Sequence, residues 1–493
     1  MRHPLKFLAF DLGAESGRAV VGFFDGSRLT LQEAHRFANE PVRVMDSLQW
    51  DALRTFHELK KGFRSVVKGY GEDIAGVGVD TWGVDFGLLD RTGELLGNPY
   101  HYRDSRNEGV PEEAFKIVPK AEIYERTGIQ FMQINTLYQL LAMARAGSPA
   151  LEIADTLLMM PDLFNYWFTG VKTSEFSIAT TSQFYDPRAR AWAKDLLEKL
   201  GIPTHILPPV VEPGTVIAPL RKSLAEEFGI GQVPIIAPAT HDTGSAVAAV
   251  PAEGKDHVYI SCGTWALIGV ELDAPLINEK TLALEFTNEG GVCGTIRLLK
   301  NIAGLWLVQE CRRQWAKEGD DISYAELTMM ADATIPFASL INPDAPEFLA
   351  PGDMPARIAE FCRRTGQPVP ESKAAIVRCA LDSLALKYRY VLGCLEDLLG
   401  KRLEPIHMVG GGTQNKLLCR LTATVTRRTV ISGPVEATAI GNILMQAIAL
   451  GRISSLAEAR QVVRDSFDLE VYEPGAEADV EATWKRFVKL CEK

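Results

Sequence analysis

The chain has 493 residues, 46% of them hydrophobic and 23% charged, and a formal net charge of −11. This is the composition of a globular protein too long for one core. It excludes the basic face of a nucleic-acid binder and, since no run nears ~18 uninterrupted apolar residues, a membrane-spanning helix. Any polyanionic ligand must then be met locally, by Arg, Lys, backbone N–H groups or Mg²⁺.

The first apolar run, Phe7-Leu-Ala-Phe, stops at Asp11. It falls short of the apolar region of a secretory leader, and a cytoplasmic protein is expected. Alternation predicts strands over 5–11, 18–24 and 28–36. Between the first two, Asp11 enters a turn of Gly13, Ala14, Glu15, Ser16 and Gly17, closed by Arg18. Such a turn suits phosphate: Asp11 reaches a magnesium ion, small residues bring backbone N–H groups and a hydroxyl to anionic oxygens, and Arg18 adds a fixed positive charge. Its other reading is a tight hairpin with a hydrogen-bonded Asp in the turn.

An amphipathic helix over 53–68 leads to a strand, turn and strand over 74–89, the first strand ending in Asp80. This order is α/β, with ligands expected at strand ends. Trp82 and Gly83 fall in what reads as a hairpin turn, as a sugar platform or as core. The polar cluster Tyr102-Arg-Asp-Ser-Arg106 reads as a substrate loop or a surface ion-pair patch. Helices follow over 120–170, one opened by Pro161 and Asp162 and stopped by Gly170. Residues 204–219, dense in Pro, read as irregular.

A short strand from Pro234 then runs into Thr240-His-Asp-Thr243 and a small-residue helix. At this helix start, where an ionised carboxylate is favoured, Asp242 is either a general base or a cap. His241 alone reads as a hydrogen-bonded structural residue. The domain boundary is expected within 251–255, giving domains 1–253 and 254–493.

From Val258 the plan of strand, glycine turn and strand repeats, with Ser261 and Gly263 in the places of Asp11 and Gly13. Two like domains would let Gly263 and Thr264 close on the same nucleotide as the first turn; two ordinary apolar hairpins are the alternative. Residues 300–309 read as the start of a helix on which Asn301 and Gln309, about two turns apart, share a face. A long helix over 373–399 precedes a strand over 405–409, Gly410-Gly-Gly412 and a helix opened by Thr413 or Asn415. Because Asn415 and Leu417 stand where a Walker loop needs Gly and a hydroxyl residue, and no third fingerprint Gly is present, P-loop and dinucleotide readings fail. What remains is a strand-end turn open to an adenosine or its phosphates, or a plain αL turn. A last helix spans 436–450. The eight cysteines form no C-x-x-C pair, and Cys362 and Cys379 are not expected to pair in a reducing compartment.

Taken together, Asp-Leu-Gly at 11–13, Asp-Thr-Trp-Gly-Val-Asp-Phe at 80–86, Tyr-Arg-Asp-Ser-Arg at 102–106, Asn-Thr-Leu-Tyr-Gln-Leu at 135–140, Thr-His-Asp-Thr at 240–243, Thr-Asn-Glu-Gly-Gly at 287–291, Leu-Lys-Asn-Ile-Ala-Gly-Leu-Trp-Leu at 299–307 and Gly-Gly-Gly at 410–412 make the chain similar, over nearly its whole length, to the FGGY carbohydrate kinases. The resemblance implies two RNase H-like α/β domains of the actin and hexokinase superfamily flanking a deep catalytic cleft. The first would hold the sugar and the second MgATP. It implies that Asp242 removes the proton from the 1-hydroxyl of L-rhamnulose and that Asp11 holds Mg²⁺. Ala14, Glu15, Ser16, Gly17, Arg18, Thr264, Gln309 and Gly411 would contact ATP, and Gly83, His241, Asp242, Thr243 and Asn301 the ketose. Glu15 departs from the family pattern, which often has Ser there; a carboxylate at that place points outward or bears on the metal. Partners are then a small ketose and MgATP, with no nucleic acid or membrane, and the protein is a monomer or homodimer. The rival readings are a kinase for L-fuculose or D-xylulose, with the same Asp11 and Asp242, and a silent actin-like ATP-binding module, which needs no base.

Overall fold

The structure, a computed structural model, describes residues 3–475 and 480–492. The chain forms two compact units: one made of the residues up to Pro251 with Glu271–Leu298 and Ala437–Ser466, the other of Ala252–Val270, Leu299–Glu436 and the chain from Phe467 onward. Among the described residues, no helix is long and apolar enough to cross a membrane.

The first unit is built on a six-stranded sheet of β1 (Leu5–Leu12), β2 (Ser16–Phe24), β3 (Leu29–Ala38), β4 (Ile74–Thr81), β5 (Thr215–Pro219) and β6 (Pro234–Ala237), in the order β5-β6-β4-β1-β2-β3. β1, β2 and β3 form an antiparallel meander, while β4 lies parallel to both β1 and β6. Central β1 is buried along its last six residues, as an apolar run covered on both faces requires. Helix α1 (Ala52–Tyr70) is capped by Asp51, which accepts from Arg54 N at 3.0 Å, and turns Leu59, Phe63 and Val66 into the core, where Phe63 stacks on Phe228 with centroids 4.5 Å apart. Helix α2 (Met160–Thr169) ends on Gly170 in the left-handed conformation, as its sequence predicts. It is followed by the short α3 (Phe176–Thr181) and, after β6, by α4 (Asp242–Ala248).

Two expectations need correction. Residues 215–219 are not irregular; they form β5, an edge strand paired antiparallel with β6, and edge position tolerates the proline-rich sequence. Residues 74–89 are not a hairpin, because Phe86–Leu89 pairs with Thr156–Met159. The turn at 82–85 is therefore a crossing between two sheets.

From Val258 the chain builds a seven-stranded sheet of β7 (Val258–Cys262), β8 (Trp265–Leu272), β9 (Thr287–Gly290), β10 (Ile296–Ala303), β11 (Ile406–Val409), β12 (Val430–Ser432) and β13 (Glu470–Tyr472), in the order β9-β10-β8-β7-β11-β12-β13. In the second unit, α5 (Trp306–Lys317) and α7 (Lys416–Thr426) pack against the 27-residue α6 (Lys373–Leu399), and α7 packs on β12 and β13. Asn415 caps α7 by accepting from Leu418 N at 3.0 Å, which decides between the two predicted openers. All eight cysteines are free thiols, and Cys362 and Cys379 are both buried. The chain then re-enters the first unit as α8 (Ala437–Ala449).

Candidate active site

In the first unit, strand ends converge. Asp11 on β1 and Asp80 on β4 are register partners, and Thr81, the last residue of β4, bridges to His241 while its N–H donates to Thr240 O at 2.9 Å. Parallel pairing thus delivers Asp11, Asp80 and residues 240–243 to one sheet edge, the place where open α/β sheets bind ligands. Arg18, partner of Asp11 across the β1–β2 hairpin, forms an ion pair with it. Asp80 has no exposed surface; its Oδ2 accepts from Asn442 on α8, and among the described residues its Oδ1 has no hydrogen-bond partner. Burial, and then the charge of Asp11, pushes the Asp80 carboxyl well above the usual range.

Asp242 is the first residue of α4, and His241 occupies the cap position without a capping bond. Among the described residues, Asp242 Oδ1 accepts from the adjacent Thr243 alone, at 2.6 Å from its N–H and 3.3 Å from its hydroxyl, with His241 Nε2 at 3.5 Å. The capping reading of Asp242 fails, since a cap would accept from N–H groups two or three positions on. The helix terminus does not dominate its ionisation either. Burial raises the carboxyl, Asp11 raises it further, and His241 opposes both.

Residues 240–243 are held from below by a carboxylate. Buried Glu175 accepts from Thr240 N at 2.9 Å, Thr240 Oγ1 at 2.7 Å and Ser177 N at 2.7 Å, and Ser177 Oγ accepts from His241 N at 3.1 Å. Gly83 approaches from the other side, where an added Cβ would lie 3.4 Å from His241 Nε2. Beside it Val84 has φ 68°, a left-handed conformation strained for a β-branched residue. It is held there by Thr181, which receives its N–H at 3.3 Å, and by Thr136, whose hydroxyl donates to its carbonyl at 2.6 Å. Trp82 is core rather than platform: it is 5% exposed, packs on Trp50 and spends its indole N–H on Asp85. Arg106 is likewise internal, 3.6 Å over the Tyr100 ring and bonded to Gln139 at 3.3 Å.

The turn at 13–17 is closed by Gly13 N donating to Ser16 O at 3.0 Å and tied by Asn39, which donates to the Glu15 and Gly13 carbonyls. Glu15 is exposed. Gly17 is required by packing, because a Cβ there would lie 2.3 Å from the Phe37 ring.

In the second unit, Thr264, Gln309 and Gly411 gather at the end of β7. The carbonyls of Gly263 and Thr264 accept from Leu305 N at 2.9 Å and Trp306 N at 3.1 Å, which docks the β7–β8 turn on the start of α5. Gln309 sits one turn into α5, its Oε1 buried without a hydrogen-bond partner among the described residues. The 410–412 turn lies on Cys262, whose carbonyl would be 2.7 Å from a Cβ at Gly412. Asn301 is not on the helix with Gln309 as expected; it belongs to β10, and the helix starts only at Trp306. Residues that sequence reasoning did not single out include Glu175, Glu289 and Arg297. Glu289 was visible only inside the 287–291 motif, and the other two carried no local signal.

Paired strand-end carboxylates beside Asp242, on a two-domain α/β fold, are an arrangement that a phosphotransferase acting on an alcohol can use for proton removal and charge neutralisation. The fold is shared with the solved xylulose kinase from Lactobacillus acidophilus (17% identity, TM-score 0.81, 99% of this chain and 97% of that one) and the glycerol kinase from Plasmodium falciparum (14% identity, TM-score 0.78, 99% and 97%). Residues 6–249 match the N-terminal and 258–450 the C-terminal domain of the FGGY family of carbohydrate kinases, and the chain belongs to that family. It is 45% identical over 482 residues to the rhamnulokinase of Bacteroides thetaiotaomicron, covering 98% of each chain, and 40% identical over 465 residues to that of Oceanobacillus iheyensis, covering 94% of this chain and 97% of the other. ATP is accordingly its phosphoryl donor.

Proposed function

We propose that the protein transfers the γ-phosphoryl group of MgATP to the 1-hydroxyl of L-rhamnulose, giving L-rhamnulose 1-phosphate and ADP in the cytoplasm, as a monomer or homodimer. Full-length identity of 45% to a rhamnulokinase supports the substrate. The observation that carries the mechanism is Asp242, whose carboxylate takes no part in capping its helix and keeps acceptor capacity for a substrate proton.

In this reading Asp242 accepts the proton as the sugar oxygen attacks phosphorus, while positioning and charge neutralisation supply most of the rate. Gly83, His241, Thr243 and Asn301 hold the ketose. Ala14, Glu15, Ser16, Gly17, Arg18, Thr264, Gln309 and Gly411 hold the nucleotide, Gln309 through a buried Oε1 that lacks a partner. Mg²⁺ is an ion bound through one or two carboxylates, water and substrate phosphates. Asp11 is its protein ligand, on the strand position paired with Asp80. When bound, the ion neutralises charge on the phosphates.

ADP release with MgATP across L-rhamnulose, L-fuculose, D-xylulose, D-ribulose and glycerol tests the proposal. Preference for L-rhamnulose is the expected result. Preference for another acceptor overturns the substrate, and silence on all five overturns turnover itself.

A further inference from the structure

Arg297 on β10 has no exposed surface, and a fully buried guanidinium is costly unless its donors are used. Its Nε donates to Gly290 O at 2.8 Å, and its Nη2 to Glu289 Oε2 at 3.1 Å and to His241 Nδ1 at 3.1 Å, while Nη1 lacks a hydrogen-bond partner among the described residues. A guanidinium only donates, so the Nδ1 that receives its N–H must present a lone pair. The ring proton then resides on Nε2, because the bond made by one imidazole nitrogen sets the state of the other. Nε2 is the nitrogen turned toward Asp242 Oδ1 at 3.5 Å and toward Gly83.

Glu289 offers the opposite outcome. Its Oε2 lies 3.2 Å from Nδ1 and would accept a proton carried there, leaving Nε2 as an acceptor. The same Oε2 already receives the Arg297 N–H, and a proton on Nδ1 would face the guanidinium donor. Arg297 thus decides between the two.

We propose that Arg297 is a positioning residue that holds His241 in the Nε2–H tautomer, so that His241 offers the sugar a hydrogen-bond donor. This rests on the reading of His241 as a ketose contact. The consequence is a division of labour at the reacting end of the substrate. An Nε2 acceptor would compete with Asp242 for the hydroxyl proton, whereas an Nε2–H donor bonds an oxygen lone pair and leaves that proton to Asp242. The acceptor favoured is a ketose with an oxygen on the carbon next to the reacting hydroxyl.

The test is two-bond ¹H–¹⁵N spectroscopy of the enzyme labelled with ¹⁵N-histidine, with the His241 signal among the eight histidines assigned by its loss in His241→Gln. The wild type is expected to show a pyrrole-type Nε2 and a pyridine-type Nδ1. Arg297→Met should move the proton toward Nδ1 and raise the KM for L-rhamnulose about tenfold with the KM for MgATP little changed, a split that general loosening would not give. Arg297→Lys, which keeps a donor, should restore much of both. Glu289→Gln should leave the tautomer in place. An Nδ1–H signal in the wild type, or an unchanged Nε2–H signal in Arg297→Met, overturns the proposal. If Arg297→Met does not fold, the wild-type and Glu289→Gln spectra still decide. Failure of L-rhamnulose as a substrate would remove the ketose assignment and leave the tautomer result standing.

Discussion

Asn442 donates from Nδ2 to Asp80 Oδ2 at 2.6 Å, joining residues 362 positions apart. One turn further along α8, Gln446 Nε2 donates to Leu8 O at 3.0 Å and to Asn442 Oδ1 at 2.7 Å. A helix made after nearly all of the second unit is thus latched by buried polar bonds to β1 and β4, the strands that carry Asp11 and Asp80. Unpartnered, these groups would each cost about 1–3 kcal/mol, so the latch specifies where α8 must sit.

Gly441 sets how close α8 comes to α4. A Cβ at 441 would lie 1.8 Å from Ser245 O, a backbone atom that cannot rotate away. Gly441→Ala should therefore separate the two helices, lower stability by about 2–3 kcal/mol and, because Asp242 opens α4, reduce kcat at least about tenfold. Thermal unfolding and steady-state kinetics check this. Wild-type values for both would mean the helices part without cost.

Asp85 is an acceptor among donors. Its Oδ2 receives Trp50 Nε1 at 2.6 Å, Trp82 Nε1 at 2.9 Å and Tyr102 N at 3.3 Å, and its Oδ1 receives Gln139 Nε2 at 2.9 Å. An amide would turn an NH₂ toward one of these donors, so Asp85→Asn should destabilise by about 1–3 kcal/mol. Burial pushes the Asp85 carboxyl up to about 6, against about 4 in the unfolded chain. Between those values the unfolded state has released its proton and the folded state keeps it, so this group makes stability fall as pH rises from about 4 to about 6. The variant lacks that slope. Its deficit should be largest at about pH 4 and below and shrink as pH rises to about 6 in urea titrations, levelling off above; a deficit that grows with pH would reverse the sign of the argument.

The parts of the fold that could be read from sequence were local. Apolar runs around Asp11 and Gly263 announced both hairpins, Gly170 ended α2, and Asn415 opened α7, because strand alternation and helix caps act over a few residues. The unread parts depend on distant partners. Nothing near Thr215 says that a proline-rich segment will find β6, and nothing near Asn301 says that β10 will continue to Ala303 before a helix begins. Trp82 would suit a sugar as well as a core until Trp50 and Asp85 are seen beside it. Glu175 and Arg297 act on residues 240 and 241 across more than 50 positions. Side chains that position other side chains leave no periodic trace.

Glu175 gives a prediction of this kind. Its two oxygens receive the Ser177 and Thr240 N–H and hydroxyl groups and the Ile178 N–H, so all of its partners are donors. Glu175→Gln must set an NH₂ against one of them and release the backbone at 240–241. We expect kcat to fall about 10- to 100-fold with the KM for MgATP unchanged. A kcat within twofold of wild type would show that residues 240–243 hold their place without the carboxylate.

Asp242 itself supplies the pH prediction. A base works only when ionised, and burial together with Asp11 raises its carboxyl above the usual range. As pH falls through that raised value Asp242 gains a proton, so kcat/KM for the sugar should decline on the acid side earlier than an exposed aspartate, near 4, would allow. Asp242→Asn removes the group and should lower kcat by about 10²- to 10⁴-fold while leaving MgATP affinity, measured by calorimetry, close to wild type. Its residual activity should lose the acid limb. An acid limb that persists in Asp242→Asn would belong to another group, and turnover near wild type would take the role of base away from Asp242.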